Sequence, residues 1–576
     1  MRESLLANSH FLLLLNAGRD QWDLRKGTTE RVAGLQIAFT GVIANVHDLK
    51  QRLMLSEHVS LGEILAAAYH KWGYTLAEHV EGQYAAAVLD AKTGVLALVQ
   101  DYLGLLPLQV KPHGDFVAVS STLSDLAKSD DVLDKNYAAI YFANGIVEGN
   151  MTPFREIQRV GLGQAGTVDL YSLRLRFHQL APLVESPPRD NIRLSSLTEE
   201  LRGLLLGAVN AFSCDAKHLG CEVSGGLDSG TVATMAIRGK AVPIAFTKIL
   251  TARNNRDIGW ARYIAASLEL EHEIVDGDCY PPFSVELDRQ LPEPGDWAID
   301  AAMTMAYREC LFSRQIDVLL TGQGGDAVLM GDQPGQYHLA DKLARFQFGR
   351  LFKDIRDLQA RPETQRPLRY WLTSYGLAPL VRQFRRQRVE GFLHETELPS
   401  WVPQKLIQET DLLERRVNAV VPFLPTLAQT AMAERISAVV SALTRHSFYP
   451  HYGIQVRHPL LHLPLVKFML KVPASFKSGD FGDRHLHRIS MISEAPKGLM
   501  HRHDKGGGGG IFLKVLSGKS DQIRLMAEDS ILASEGLVDP SAWGRMLASV
   551  AAGQLENFSQ FAAGACYEMW LRRWRA

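Results

Sequence analysis

The 576 residues carry 62 lysines and arginines against 63 aspartates and glutamates, a net charge of −1, with 46% hydrophobic and 22% charged residues. That length implies two to four domains and that composition a soluble globular chain. The neutral balance excludes a global field that recruits nucleic acid or an anionic membrane. No apolar run reaches the ~20 residues that span a bilayer, so no membrane partner is expected either.

Near the start, the apolar run Phe11–Leu15 follows Glu3 and Asn8-Ser9-His10 and lacks a small-x-small cleavage site. It reads as a first strand rather than a signal peptide. Further strands are predicted over Gln36–Ala44, Gln83–Asp90, Val95–Val99 and Phe116–Ser120, where apolar residues alternate with polar or small ones. The polar, Pro-Pro-containing stretch that begins at Val184 predicts a linker over 184–196. It separates a strand-rich domain, 1–183, from a second domain, 197–576. There helical periodicity is interrupted by short buried strands at Val242–Thr247, Glu271–Val275 and Val318–Thr321, and the helix Gly259–Leu268 follows Asp257. Such alternation predicts parallel βαβ units. The five cysteines (Cys214, Cys221, Cys279, Cys310, Cys566) show no CxxC spacing, which predicts a reducing, cytoplasmic setting.

The most informative stretch is Val223-Ser224-Gly225-Gly226-Leu227-Asp228-Ser229, an apolar strand running through two glycines into a helix of small residues. Glycines let backbone N–H groups approach a phosphate, the helix N-terminus adds a favourable dipole, and Ser224 and Ser229 offer hydroxyls. Asp228 would repel a phosphate unless a divalent cation lies between them. Thr321-Gly322-Gln323-Gly324-Gly325-Asp326 repeats the design, a buried strand opening into glycines and ending in a carboxylate. Asp228 and Asp326 are therefore the expected ligands of one Mg²⁺. SGGLDS resembles the signature of the ATP-pyrophosphatase superfamily, which adenylates a substrate and releases pyrophosphate, and it is unlike GxxxxGK[ST]. The resemblance implies an ATP site formed by Val223 to Ser229, by Phe246 and Thr247 of the next strand, and by Thr321, Gly322, Gly324 and Gly325.

Farther along come Val456-Arg-His-Pro-Leu-Leu-His462, Arg484-His-Leu-His-Arg488 and Arg502-His-Asp-Lys-Gly506 with glycines through Gly510. Together these resemble the synthetase domain of the asparagine synthetase B family. By that resemblance Lys505 is the lysine that stabilises charge on the α-phosphate and on the tetrahedral intermediate, with Arg502 and Gln323 beside it. As a bare sequence feature, Lys505 also reads as a solvated loop lysine, and the five glycines as either a linker or a mobile lid.

The first domain resembles the same family's N-terminal-nucleophile glutaminase. Ala38–Asn45 is similar to its NGxIxN segment, Gly82–Asp90 to its GxFAxxxxD strand, and Gln100–Leu108 to its RDxxGxxPL turn. Three departures fall on the glutamine chemistry: Arg2 stands where the nucleophilic cysteine is expected, Thr40 at the oxyanion asparagine, and Gly62 at the aspartate that holds the substrate amine. A degenerate glutaminase-like α+β sandwich joined to an α/β ATP-pyrophosphatase domain is thus the expected fold. Without ammonia, the amine must belong to the substrate, which points to two ring-closing relatives, β-lactam synthetases and lasso peptide macrolactam cyclases. Gln323 stands where β-lactam enzymes carry a tyrosine and cannot be a general base. A peptide α-amine, with a reference pKa of ~8, needs less help, which favours the cyclase. The expected partners are then a precursor (core) peptide, a leader peptidase and a leader-recognition protein. The segments Arg345–Arg350 and Arg382–Arg386, in the insertion between Asp332 and Tyr449, are a candidate peptide-holding surface. A non-catalytic nucleotide- or peptide-binding scaffold is the alternative from another class.

Overall fold

The computed structural model describes residues 10–16, 22–188, 192–249, 256–280, 291–295, 300–329, 337–360, 365–381, 399–410, 424–445, 453–477, 483–503, 526, 528–552, 554 and 558–575. The first domain contributes β1 (Leu12–Asn16), β2 (Asp23–Lys26), β3 (Thr29–Val32), β4 (Leu35–Ile43), β5 (Gly82–Asp90), β6 (Val95–Gln100), β7 (Gln109–His113), β8 (Phe116–Ser120), β9 (Gln158–Arg159), β10 (Gln164–Asp169) and β11 (Leu175–Gln179). They form two antiparallel sheets, ordered β2-β1-β8-β7-β9 and β11-β10-β6-β5-β4-β3. The predicted alternation of buried and exposed positions does not hold along β5, which is buried at all nine positions. Ala85, Ala87 and Leu89 pack with Leu13 and Val117 of the other sheet, whereas Tyr84, Ala86 and Val88 face a core that includes Leu65 and Ala68 of the helix Leu61–Trp72. A strand covered on both faces reads as a continuous apolar run.

The second domain holds a parallel sheet of β12 (Leu219–Glu222), β13 (Ile244–Ile249), β14 (His272–Asp276), β15 (Val318–Leu320) and β16 (Gln455–Arg457). Its order is β14-β13-β12-β15-β16, so the chain winds outward from β12 in one direction and then in the other. β13 starts two residues later than predicted: Pro243 has no N–H for the ladder, and Val242 is exposed. The Asp317 carboxylate accepts hydrogen bonds from the backbone N–H groups of Lys217 (3.1 Å) and His218 (2.8 Å), fixing the start of β12 beside that of β15. Among the described residues, no helix is long and apolar enough to cross a membrane.

The two domains share their cores. The C-terminal helix Phe558–Arg575 packs against the helix Lys135–Asn144 of the first domain. Tyr567 stacks edge-on to Tyr141 and Phe142 there, and Phe154 to Trp570.

Candidate functional site

In an open α/β sheet, ligands bind beyond the carboxyl ends of the strands, where the strand order reverses. Here that point lies between β12 and β15, and both glycine loops open from it. Val223 is fully buried; its N–H donates to the Phe246 carbonyl (2.8 Å), and its carbonyl accepts the Thr247 hydroxyl (2.5 Å). The Phe246 ring lies in the core edge-on to Tyr307, so what Phe246 offers the loop is its carbonyl. The Ser229 hydroxyl accepts from the Ser224 N–H (3.1 Å) and lies 3.1 Å from the Ser224 hydroxyl, closing the loop on itself. The following helix, Leu227–Arg238, is capped by Gly226, which has no side chain to occupy the N-terminal N–H groups. That leaves the helix end suited to an anion.

The two loops touch so closely that only glycine fits between them. A Cβ at Gly322 would stand 2.5 Å from the Ser229 nitrogen, and one at Gly325 would stand 2.5 Å from an Asp228 carboxylate oxygen. Asp228 and Asp326 then converge on one cationic group: the Arg484 guanidinium hydrogen-bonds Asp228 (2.7 Å) and pairs with Asp326. Arg484 is 2% exposed and has a left-handed backbone (φ 53°), a conformation that non-glycine residues adopt at a cost. A buried guanidinium bridging two carboxylates at the end of a parallel sheet marks a place built for positive charge. The two hard oxygen donors fit Mg²⁺, which takes one or two protein carboxylates together with substrate phosphates. Among the described residues, no group of three or more His, Cys, Asp or Glu gathers elsewhere as a metal centre.

Arg502 lies behind the first loop rather than at its mouth. It is buried, donates to the Gly225 carbonyl (2.5 Å), pairs with Asp257 and lies over the Trp260 ring. Its place makes it a positioning residue. Arg488 holds this arrangement by donating to the Met500 and Arg502 carbonyls, both at 2.8 Å. Between Arg484 and Arg488, His487 is fully buried beside Thr231 (2.8 Å), and burial together with the two arginines pulls its pKa down to about 3. Gln323 is exposed, its N–H bonded to the Thr321 hydroxyl (3.2 Å). Lys505, Arg2 and the segment Arg382–Arg386 lie outside the described residues.

Sequence reasoning missed Arg484 as a partner of the two aspartates, and missed the link between this site and the first domain. Gln83 of β5 donates to the Val456 carbonyl (2.9 Å) and accepts from the His458 N–H (3.3 Å). His458 in turn meets the Thr321 hydroxyl at 2.8 Å. A cavity of about 240 Å³ lies at this junction, its wall including Thr40, Gly41, Gln83, Glu293, Gln455 and His458.

Residues 200–572 match the family model for asparagine synthase, and residues 27–176 that for a glutamine amidotransferase domain. A Mycobacterium tuberculosis protein provisionally named a glutamine-hydrolysing asparagine synthetase is 25% identical over 343 residues, 56% of this chain and 51% of that protein. Glutamine-hydrolysing asparagine synthetase 1 of Bacillus subtilis is 22% identical over 311 residues, 51% of this chain and 47% of that protein. The chain thus spans about half the length of the curated relatives it matches. Among solved structures, the NH3-dependent NAD synthetase of Campylobacter jejuni aligns over 39% of this chain and 95% of its own, at 14% identity and a TM-score of 0.19. With an amidotransferase-type sandwich followed by an ATP-pyrophosphatase-like parallel-sheet domain, and a family match over most of its length, the chain belongs to the asparagine synthase family.

Proposed function

We propose that the protein is an ATP-dependent, AMP-forming amide ligase of the lasso peptide cyclase type. A side-chain carboxylate of an Asp or Glu in a core peptide attacks the α-phosphorus of ATP, and pyrophosphate leaves. The peptide's own N-terminal amine then attacks the acyl carbon, AMP departs, and the amine gives its proton to solvent. The loop N–H groups and the Ser224 and Ser229 hydroxyls hold the phosphates, and Arg502 fixes the loop through the Gly225 carbonyl. Asp228 and Asp326 would hold Mg²⁺, which neutralises pyrophosphate charge when bound. Lys505 is the group proposed to stabilise charge during amine attack.

The observation that carries the choice of an internal amine is Glu30. Its carboxylate accepts the Ser60 hydroxyl (2.6 Å) and fills the space beside Gly62, so that a Cβ at Gly62 would collide with it. An aspartate at Gly62 would have to displace the Glu30 carboxylate. Residues 27–176 also contain no cysteine. The proposal includes a leader peptidase and a leader-recognition protein as partners that deliver the peptide.

The test is intact-mass analysis of a candidate core peptide incubated with the protein, ATP and Mg²⁺. Loss of one water together with AMP release is expected, and free glutamine should neither be hydrolysed nor change the yield. Lys505→Ala should lower cyclisation by ~10²–10³-fold while nucleotide affinity changes little. Cyclisation by that variant within a few-fold of wild type, or glutamate release from glutamine, would refute this assignment.

A further inference from the structure

The helices His338–Ala344 and Phe348–Gln359 and the segment Leu368–Leu377 form a small module with its own core, in which Leu351, Ile355 and Leu358 pack with Leu339 and Trp371. An amphipathic helix that buries one face normally turns a polar face to water. Phe348–Gln359 does so through Arg350, Lys353, Arg356 and Asp357, but it exposes two aromatic rings among them. Phe348, Phe352 and Arg356 follow one another at i, i+4 and i+8 along its outer side, with Phe348 48% and Phe352 44% exposed. Just before it, Phe346 is 79% exposed and held at φ +57°, a backbone state that is strained for a bulky residue.

The charge on the same module is one-sided. The described residues between 337 and 377 carry seven lysines and arginines against three aspartates. Two of those aspartates face inward: Asp341 accepts from the Leu427 and Ala428 N–H groups (2.7 and 3.1 Å), and Asp354 pairs with Lys342 and His338. Exposed Arg350, Lys353, Arg356 and Arg369 therefore accompany exposed aromatic rings in a chain that is neutral overall. Asp341 also ties the module to the helix Leu427–Arg445, which packs against the turn Gly325–Val328 carrying Asp326. The surface is thus joined to the loop that ends in the proposed metal ligand through two helices, His338–Ala344 and Leu427–Arg445.

We infer that this aromatic and basic surface docks an acidic, aromatic-containing segment of the peptide substrate. Aromatic rings supply contact area at a low entropy cost, and the arginines select carboxylates. A peptide fits better than an anionic membrane, because the apolar stripe is only two rings long on one twelve-residue helix and the chain has no net positive charge. The inference rests on the reading of the substrate as a peptide.

The experiment measures binding alone, without nucleotide, so its failure is distinguishable from failure of ring closure. A fluorescein-labelled peptide alternating glutamate with phenylalanine is titrated with the full-length protein, and fluorescence anisotropy is read. Binding should weaken as salt rises. It should fall by about tenfold or more in Phe348→Ser/Phe352→Ser and in Arg350→Glu/Lys353→Glu. Both variants change exposed positions, and an unchanged melting temperature verifies the fold. Wild-type affinity in both variants, or equal binding of the same peptide with glutamine for glutamate, overturns the inference. So does variant-sensitive binding to phosphatidylglycerol vesicles in place of the peptide, which would make the surface a membrane contact.

Discussion

Gly325→Ala tests the geometry of the paired loops more directly than removing a carboxylate does. The added methyl would stand 2.5 Å from an Asp228 carboxylate oxygen and 2.7 Å from its Cβ, where ordinary contacts begin at 3.4 Å. Something must yield by nearly 1 Å. If Asp228 moves, it leaves the position from which it meets Arg484 and would meet a cation on the pyrophosphate. If the backbone moves instead, the loops separate and stability falls. Overpacking of this size costs about 1–3 kcal/mol. That corresponds to ~5–150-fold in affinity for ATP and Mg²⁺, or to a fall of several degrees in melting temperature. Calorimetric titration with Mg²⁺ and ATP reads the first outcome, and a thermal melt of the same sample reads the second. Gly259→Ala is the control: nothing lies within 4 Å of a Cβ there, and the helix Arg256–Ser267 should gain up to ~1 kcal/mol from losing a glycine. A Gly325→Ala protein that binds and melts like wild type would refute the reasoning.

Two further outcomes follow from the charges. Arg484→Gln removes the shared partner of Asp228 and Asp326; breaking a buried pair costs about 3–5 kcal/mol, less where one carboxylate is exposed as in Asp326. The variant should melt lower, and added Mg²⁺ should raise its melting temperature more than it raises that of wild type; an equal rise would dismiss a shared cation site. The second outcome concerns pH. Burial pulls the pKa values of His458 and His462 down to about 4 and that of His487 to about 3, whereas burial lifts Asp101 to about 7. Between about pH 6 and 4.5 the unfolded chain takes up protons on three histidines that the folded chain refuses, and the folded chain alone protonates Asp101. The histidines outnumber the aspartate, so the stability they confer is present above about pH 6.5 and is lost as pH falls toward 4. These four groups by themselves contribute a slope of about 2 kcal/mol per pH unit near pH 5.5. Melting temperatures measured from pH 7.5 to 4.5 check this, and a flat profile would contradict neutral, buried histidines.

Much of the catalytic side was legible because its requirements are local. SGGLDS and TGQGGD are each a strand end, a close backbone approach and a carboxylate; Gly322 and Gly325 are the glycines whose Cβ would strike the facing loop, and a Cβ at Gly225 would strike the Asp257 carbonyl. The order of short apolar segments was enough to predict the parallel sheet. What was not legible depends on distant pairing. Arg484 meets Asp228 from 256 positions away, and no periodicity in Arg484–Arg488 announces which carboxylates it will bridge. Glu30 beside Gly62 is similar, since the sequence showed a missing aspartate but not the residue filling its space. The short hairpin β10–β11 went unread because its second strand, Leu-Arg-Phe-His-Gln, is half exposed and offers no buried run. Phe246 was assigned to the nucleotide by resemblance; its ring lies edge-on to Tyr307, and its carbonyl meets the loop.

On the proposed reading the glutaminase-like domain persists without glutamine chemistry because of its packing. Glu293 of the second domain is buried, and it accepts hydrogen bonds from Tyr137 (3.2 Å) and Arg159 (2.6 Å) of the first. Left without those partners, it would be an uncompensated charge in an apolar surround, a several-kcal/mol penalty. Trp570 donates to the Leu291 carbonyl (2.8 Å) within an aromatic cluster that closes over Tyr141, Phe142 and Phe154 of the first domain. The largest core runs without a break from Tyr84 and Leu65 to Val223, Ala327 and Leu461. Gln83, on the central strand of the sandwich, holds Val456 and His458 in place behind Thr321. The two chemistries of the family divide the chain near residue 190, but its folding does not divide there. On the proposed reading, loss of the amidotransferase reaction would free Thr40 and Gly62 to vary, while the strand that carries Thr40 and the helix that carries Gly62 remain part of the core on which the ATP loops are built.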